Sequence, residues 1–153
     1  MKFSTRTLYG LQAVIVLAAR YGEGSLAVSQ IAKRQGLSVA YLEQILNALK
    51  KRGFVKSVRG PQGGYVLSRK PSETTLKTLF EVLEPPRASA EAASAGKVTD
   101  GADEVAIANM LFWSRLRRSV EEGLGRTTLK DLVDEARRLK KSRPHGTSYP
   151  FHI

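Results

Sequence analysis

The stretch SQIAKRQGLSVAYLEQILNALKKRGFVKSVRGPQGGYVLS, residues 29–68, decides the fold. Its first seven residues form a short helical pattern that buries Ile31 and Ala32. Gly36-Leu37 supplies a tight turn, and Ser38 is placed to cap a second helix on which Tyr41, Leu42, Ile45, Leu46 and Leu49 make one apolar stripe. Gly53 ends that helix. Two β-prone runs, residues 54–58 and 65–68, then flank the loop Arg59-Gly60-Pro61-Gln62-Gly63-Gly64. Taken alone, the loop reads as an ordinary turn with a basic base. Joined to two short helices across a glycine turn, it reads as the wing of a winged helix-turn-helix.

Working outward, Ser4 or Thr5 caps a helix carrying Leu8, Leu11, Val14, Ile15, Leu17 and Ala18 and ending near Gly22. Downstream, Pro85-Pro86 stops a helix, and residues 87–101, rich in Ala, Ser and Gly, read as a linker. A long helix follows, with Val105, Ala108, Leu111, Phe112, Leu116, Val120 and Leu124 on one apolar face and Trp113 beside it. That face exceeds what a small winged helix covers alone, so a twofold dimer is expected to bury it. Thr128 with Asp131 caps a last helix. The expected class is mainly α with a small β-hairpin. Its parts are a DNA-binding winged helix (1–84), a linker (85–102), a dimerisation helix and terminal helix (103–141), and a tail (142–153).

Charge says what such a domain meets. Among 153 residues, 25 Lys and Arg stand against 14 Asp and Glu, a net charge of +11. Thirteen basic and five acidic residues lie before residue 87, so the polyanion surface belongs to the winged helix. The longest apolar run, residues 8–19, is too short to span a bilayer. No signal-peptide pattern is visible at the start, and a cytoplasmic protein with its native amino terminus is expected. The chain has no cysteine, which excludes disulfides, cysteine nucleophiles and thiolate-held zinc or iron-sulfur clusters. Its two histidines, His145 and His152, sit in the tail without a carboxylate cluster, so neither a metal nor a cofactor is expected. No Ser-His-Asp set, carboxylate pair or phosphate loop feeding a helix can be assembled, and the chain does not read as an enzyme.

With the buried stripe assigned, the residues on the outer face of the second helix are Val39, Ala40, Glu43, Gln44, Asn47 and Lys51. Ala40, Glu43 and Gln44, near its amino end, are the candidates for base reading: thymine methyl, cytosine amine and adenine respectively. Glu43 reads equally well as a surface carboxylate favoured by the positive end of the helix. Lys2, Arg6, Lys33, Lys50, Lys51, Lys56 and Arg59 are phosphate candidates, with the Ser38 and Tyr41 hydroxyls. Gly60, Gly63 and Gly64 would let the wing backbone approach the duplex.

Lys2-Phe3-Ser4-Thr5-Arg6-Thr7-Leu8-Tyr9-Gly10-Leu11, Tyr41-Leu42-Glu43-Gln44-Ile45, and Gly53-Phe54-Val55-Lys56-Ser57-Val58-Arg59-Gly60 with Gly63-Gly64-Tyr65 closely resemble the Rrf2 family of bacterial winged-helix transcriptional regulators. The resemblance covers essentially residues 1–84. It implies a homodimer reading a partly palindromic operator. Cluster-binding members carry three cysteines in the stretch that corresponds here to residues 88–95, Ala-Ser-Ala-Glu-Ala-Ala-Ser-Ala, so cluster sensing does not carry over. Phe112-Trp113-Ser114-Arg115-Leu116-Arg117, Arg126-Thr127-Thr128-Leu129-Lys130-Asp131-Leu132 and the ending Ser148-Tyr149-Pro150-Phe151-His152-Ile153 resemble the cluster-free, CymR-like branch of cysteine-metabolism repressors. That branch takes cysteine synthase as corepressor, and this tail is similar to the peptide end by which serine acetyltransferase enters the synthase active site. The resemblance thus assigns partner docking to Tyr149, Phe151 and Ile153. Two other readings stay open: a regulator of the same fold answering a small-molecule or redox signal, and a nonspecific architectural nucleic-acid binder.

Overall fold

The computed structural model describes residues 4–84 and 103–142. Lys2, Tyr149, Phe151, Ile153 and the linker fall outside the described residues. Helix α1 (Thr5–Ala19) starts at Ser4, whose hydroxyl accepts the Thr7 N–H at 3.2 Å. The Ser4 N–H and hydroxyl in turn donate to the Glu84 carboxylate at 3.1 and 3.0 Å, and the hydroxyl of fully buried Thr7 joins them. A carboxylate from the far end of the winged helix thus takes up donors at the start of α1, where the helix dipole favours negative charge.

Helix α2 (Val28–Gln35) buries Ile31 and Ala32 and ends at Gly36, whose φ of +64° is left-handed. Ser38, exposed and extended, accepts the Tyr41 N–H at 3.2 Å and opens α3 (Val39–Lys51). Leu42, Ile45, Leu46 and Leu49 face inward, while Tyr41 is half-buried with its ring edge-on to Tyr9 at 6.3 Å. Strands β1 (Val55–Val58) and β2 (Gly64–Leu67) pair antiparallel, with Val55 opposite Leu67 and Ser57 opposite Tyr65. Leu26 adds a further bridge to β2: its N–H donates to the Tyr65 carbonyl at 3.0 Å and its carbonyl accepts the Tyr65 N–H at 2.9 Å. A 3-10 turn (Pro71–Glu73) leads to α4 (Leu76–Leu83), capped by Thr75 and buried through Leu76, Leu79 and Leu83.

The long helix α5 (Glu104–Arg126) is capped by Asp103, whose carboxylate accepts the Ala106 N–H at 2.7 Å, and none of its residues is buried. Helix α6 (Leu129–Lys141) starts in a capping box. The Thr128 hydroxyl accepts the Asp131 N–H at 3.2 Å, and the Asp131 carboxylate accepts the Thr128 N–H at 2.8 Å and its hydroxyl at 2.7 Å. Those bonds to the ionised form hold the Asp131 carboxyl below the usual aspartate value. Leu129 and Val133 enter the same core as α1, α3 and α4. Thr75 and Thr128 form an isolated antiparallel bridge, and the Arg137 guanidinium donates to the Ala19 carbonyl at the end of α1 at 2.8 Å. Leu129 and Val133, beyond residue 102, therefore complete the core of the winged helix. Among the described residues no helix is long and apolar enough to cross a membrane.

Candidate nucleic-acid interface

The inward leucine stripe of α3 fixes what the helix turns outward. Val39, Ala40, Glu43, Gln44, Asn47 and Lys51 are all exposed, and Ala40, Glu43 and Gln44 lie within its first two turns. The hairpin stands against the same helix. Lys50, in the last turn of α3, donates its ammonium to the Ser57 hydroxyl on β1 at 2.8 Å, linking this helix to the hairpin. Tyr65 on β2 is half-buried, and its hydroxyl is pushed above the ordinary tyrosine value first by burial and then by the negative charge of Glu43. Glu43 thus acts electrostatically on the wing while its carboxylate stays on the open face.

Strand alternation sorts the basic residues of the hairpin. Ser57 faces α3, so Lys56 points to the other side, where it lines a cavity of about 290 Å³ with Leu17, Arg20, Tyr21, Leu26 and Val66. Arg59 is exposed just beyond β1, and Arg6 is exposed on the first turn of α1. The wing glycines have different reasons. A Cβ on Gly63 would meet the Val58 and Gly60 carbonyl oxygens at 2.7 and 2.8 Å, and one on Gly64 would meet the Leu26 carbonyl oxygen at 2.2 Å. Close packing within the hairpin requires the first, and the close approach of Leu26 to β2 requires the second. Gly60 meets nothing within 4 Å but has φ +114°, which places the bare loop tip beyond Arg59.

On α5, Val105, Ala108, Leu111, Phe112 and Leu116 are exposed, Phe112 at 57%, and Val120 is half-buried. Phe112 and Trp113 stack edge to face at 5.2 Å. Only toward its end does α5 rest on the core, through Leu124. Sequence reasoning missed the Lys50–Ser57 bond, the Leu26 bridge and the proximity of Glu43 to Tyr65. Each joins residues whose spacing along the chain carries no periodic signal.

The family profile described as "Rrf2: Iron-dependent Transcriptional regulator" matches residues 3–135. The chain is 39% identical over 133 residues to the HTH-type transcriptional regulator CymR of Bacillus subtilis, the match covering 87% of this chain and 90% of that one. The solved structure of B. subtilis CymR, described as the global cysteine regulator, superposes with a TM-score of 0.74 at 38% identity, over 88% of this chain and 98% of that chain. The structure of T. potens IscR superposes with a TM-score of 0.73 at 36% identity, over 95% and 94% of the two chains. The iron in the family's description finds no thiolate here, because the chain has no cysteine. Among the described residues no group of three or more His, Asp or Glu could hold a metal ion.

Proposed function

This chain belongs to the Rrf2 family of transcriptional regulators, and on that premise we propose that it is a homodimeric repressor that reads a specific operator in cysteine or sulfur metabolism. The observation that carries the reading is the outer face of α3. Ala40, Glu43 and Gln44 are exposed on a helix whose opposite side is locked into the core, with the hairpin bonded to its last turn. In this reading Ala40, Glu43 and Gln44 contact base edges. Arg6, Lys51 and Arg59 contact phosphates, joined by the Ser38 and Tyr41 hydroxyls and by Lys2, while Gly60 brings the wing backbone to the minor groove. Lys56, on the far side of the hairpin, serves the duplex only if the DNA wraps past the wing. The α5 face formed by Val105, Ala108, Leu111, Phe112, Leu116 and Val120 joins two copies and sets their α3 helices about one turn of DNA apart.

Binding to a defined duplex and to random duplex, each followed across salt concentrations, tests this. Glu43→Ala is expected to lose discrimination between the two while keeping its nonspecific affinity. Arg59→Ala is expected to weaken both and to lower the salt slope by about 1. Equal affinity of the wild-type protein for every duplex would leave only an architectural binder.

Similarity to a protein described as a global cysteine regulator supports the regulon. The ending Tyr149-Pro150-Phe151-His152-Ile153 supports cysteine synthase as corepressor. Ile153 would enter the synthase pocket with Phe151 at the mouth and Tyr149 behind it. Synthase binding then favours the DNA-competent dimer, and O-acetylserine, by competing for that pocket, releases it. Deletion of Ile153 is expected to abolish synthase binding without touching operator affinity measured alone; unchanged synthase binding would refute the docking.

A second reading, in which a small ligand acts directly, is favoured by a cavity of about 280 Å³ between α1, the turn after the wing and α6. Ala18, Pro71 and Val133 give it apolar walls, and Lys70, Lys130, Asp134 and Arg137 supply charge. A metabolite that shifts operator affinity with no synthase present would favour it.

A further inference from the structure

Val39 opens α3 immediately after the Ser38 cap, and 42% of it is exposed. A lone exposed valine on an ordinary surface calls for no explanation. This one stands on the outer face of the helix proposed to read DNA, in line with Glu43. Residues four apart share one line of a helix face, separated by about 6 Å of rise. No ion pair among the described residues takes up the Glu43 carboxylate, so it remains available as an acceptor.

The chemistry of the groove limits what this pair can meet. A carboxylate accepts from an exocyclic amine and fits the cytosine amino group. A branched apolar side chain has one apolar counterpart in the major groove, the C5 methyl of thymine. Val39 is also stiff about χ1 in a helix, so it loses little freedom on contact. Base pairs stack about 3.4 Å apart. An interval of about 6 Å therefore spans at most two steps.

We infer that Val39 is a specificity-determining residue: it packs on the methyl group of a thymine lying within two base pairs of the cytosine accepted by Glu43. Each half-site then carries a thymine-cytosine element at that spacing. The inference rests on the proposed entry of α3 into the major groove.

The test uses the full-length protein and the duplex that wild type recovers from a random-sequence pool. Each thymine of that duplex is replaced in turn by deoxyuridine, which removes the methyl group and nothing else. One position per half-site is expected to cost wild type about fourfold in affinity, the worth of one buried methyl. Val39→Ala is expected to show no loss at that position while melting at the wild-type temperature. Deoxyuridine tolerated everywhere, or a Val39→Ala protein as sensitive as wild type, overturns the inference. The underlying reading fails differently. A pool that yields no preferred sequence overturns the role of α3 and of Val39 together, whereas a preference altered by Glu43→Ala but indifferent to deoxyuridine overturns the part given to Val39 alone.

Discussion

Gly10, midway along α1, offers a measurement whose sign the packing decides. Helix propensity alone favours alanine over glycine by about 1 kcal/mol. A Cβ at this position, however, would lie 2.4 and 2.9 Å from the two terminal carbons of Leu83 on α4 and 3.2 Å from Ile45 Cγ2 on α3. Leu83 and Ile45 are 0% and 1% exposed, so neither can swing into solvent to make room. Overpacking a dense core costs about 1–3 kcal/mol, and three simultaneous contacts place this case in the upper part of that range. Gly10→Ala is thus expected to destabilise by about 1–2 kcal/mol net. For a chain of this length that lowers the melting midpoint by roughly 2–8 °C. Gly125, near the end of α5, is the internal control. Its Cβ would meet only Lys77 Cδ at 3.9 Å, an ordinary contact, so Gly125→Ala is expected to gain about 0.5 kcal/mol. Circular-dichroism melts at one fixed protein concentration compare the two, because the proposed dimerisation would couple to stability. Leu83→Ala should cost less in the Gly10→Ala background than alone, since it removes the obstructing atoms. If Gly10→Ala and Gly125→Ala both raise the midpoint, the close approach of α1, α3 and α4 at Gly10 is refuted.

Three further outcomes follow from the same packing. Phe112→Glu places a charge on the open α5 face and is expected to leave a folded monomer by sedimentation; a dimer of unchanged strength would count against that face as the interface. Leu129→Ala empties a fully buried position and should cost about 2–5 kcal/mol in one cooperative transition, whereas amides of α1 and α3 that stay protected while α6 melts would separate the two parts. Asp131 makes its contribution as a carboxylate whose folded value is depressed, so its stabilisation is present above the ordinary value of 3.8 and is lost as pH falls below it through the folded value. Asp131→Asn is expected to lower the neutral-pH midpoint and to flatten the acid limb, and an unchanged acid limb would remove the capping box as its cause.

Local chemistry made the winged helix legible. Ser4, Ser38 and Thr128 cap the helices expected of them, Gly36 and Gly53 take left-handed backbone, and the stripe at Leu42, Ile45, Leu46 and Leu49 is buried. The strands fall within one residue of the β-prone runs. What stayed hidden depends on contacts between distant segments. Leu129 and Val133 belong to an amphipathic helix whether it packs on its own domain or elsewhere, and only the fold shows them in the winged-helix core. Gly63 and Gly64 read as bare backbone for a duplex, yet the hairpin and Leu26 leave no space there for a side chain. Lys50 and Lys56 look alike in a basic sequence, but one is bonded to Ser57 beside α3 and the other lies across the hairpin.

The position of α6 bears on how a partner held by the tail could alter DNA binding. Residues 143–153 follow this helix in the sequence, and α6 is fastened to the winged helix at three places. Leu129 and Val133 lie in the core shared with the inner stripe of α3, Thr128 bridges to Thr75, and Arg137 holds the Ala19 carbonyl at the end of α1. A pull on the tail therefore acts on the body that carries α3, and shifting α3 against α6 would disrupt that shared core. A corepressor can favour the DNA-competent state only through a difference in its affinity for two states. With each winged helix fastened to its own α6, the difference available to the proposed dimer is the placement of one protomer relative to its partner, set across the exposed face of α5. The proposed corepression should then appear on a duplex with two half-sites and vanish on a single half-site. Tightening of a single half-site by the synthase, to the same degree as a full operator, would show that α3 itself responds and would break this account.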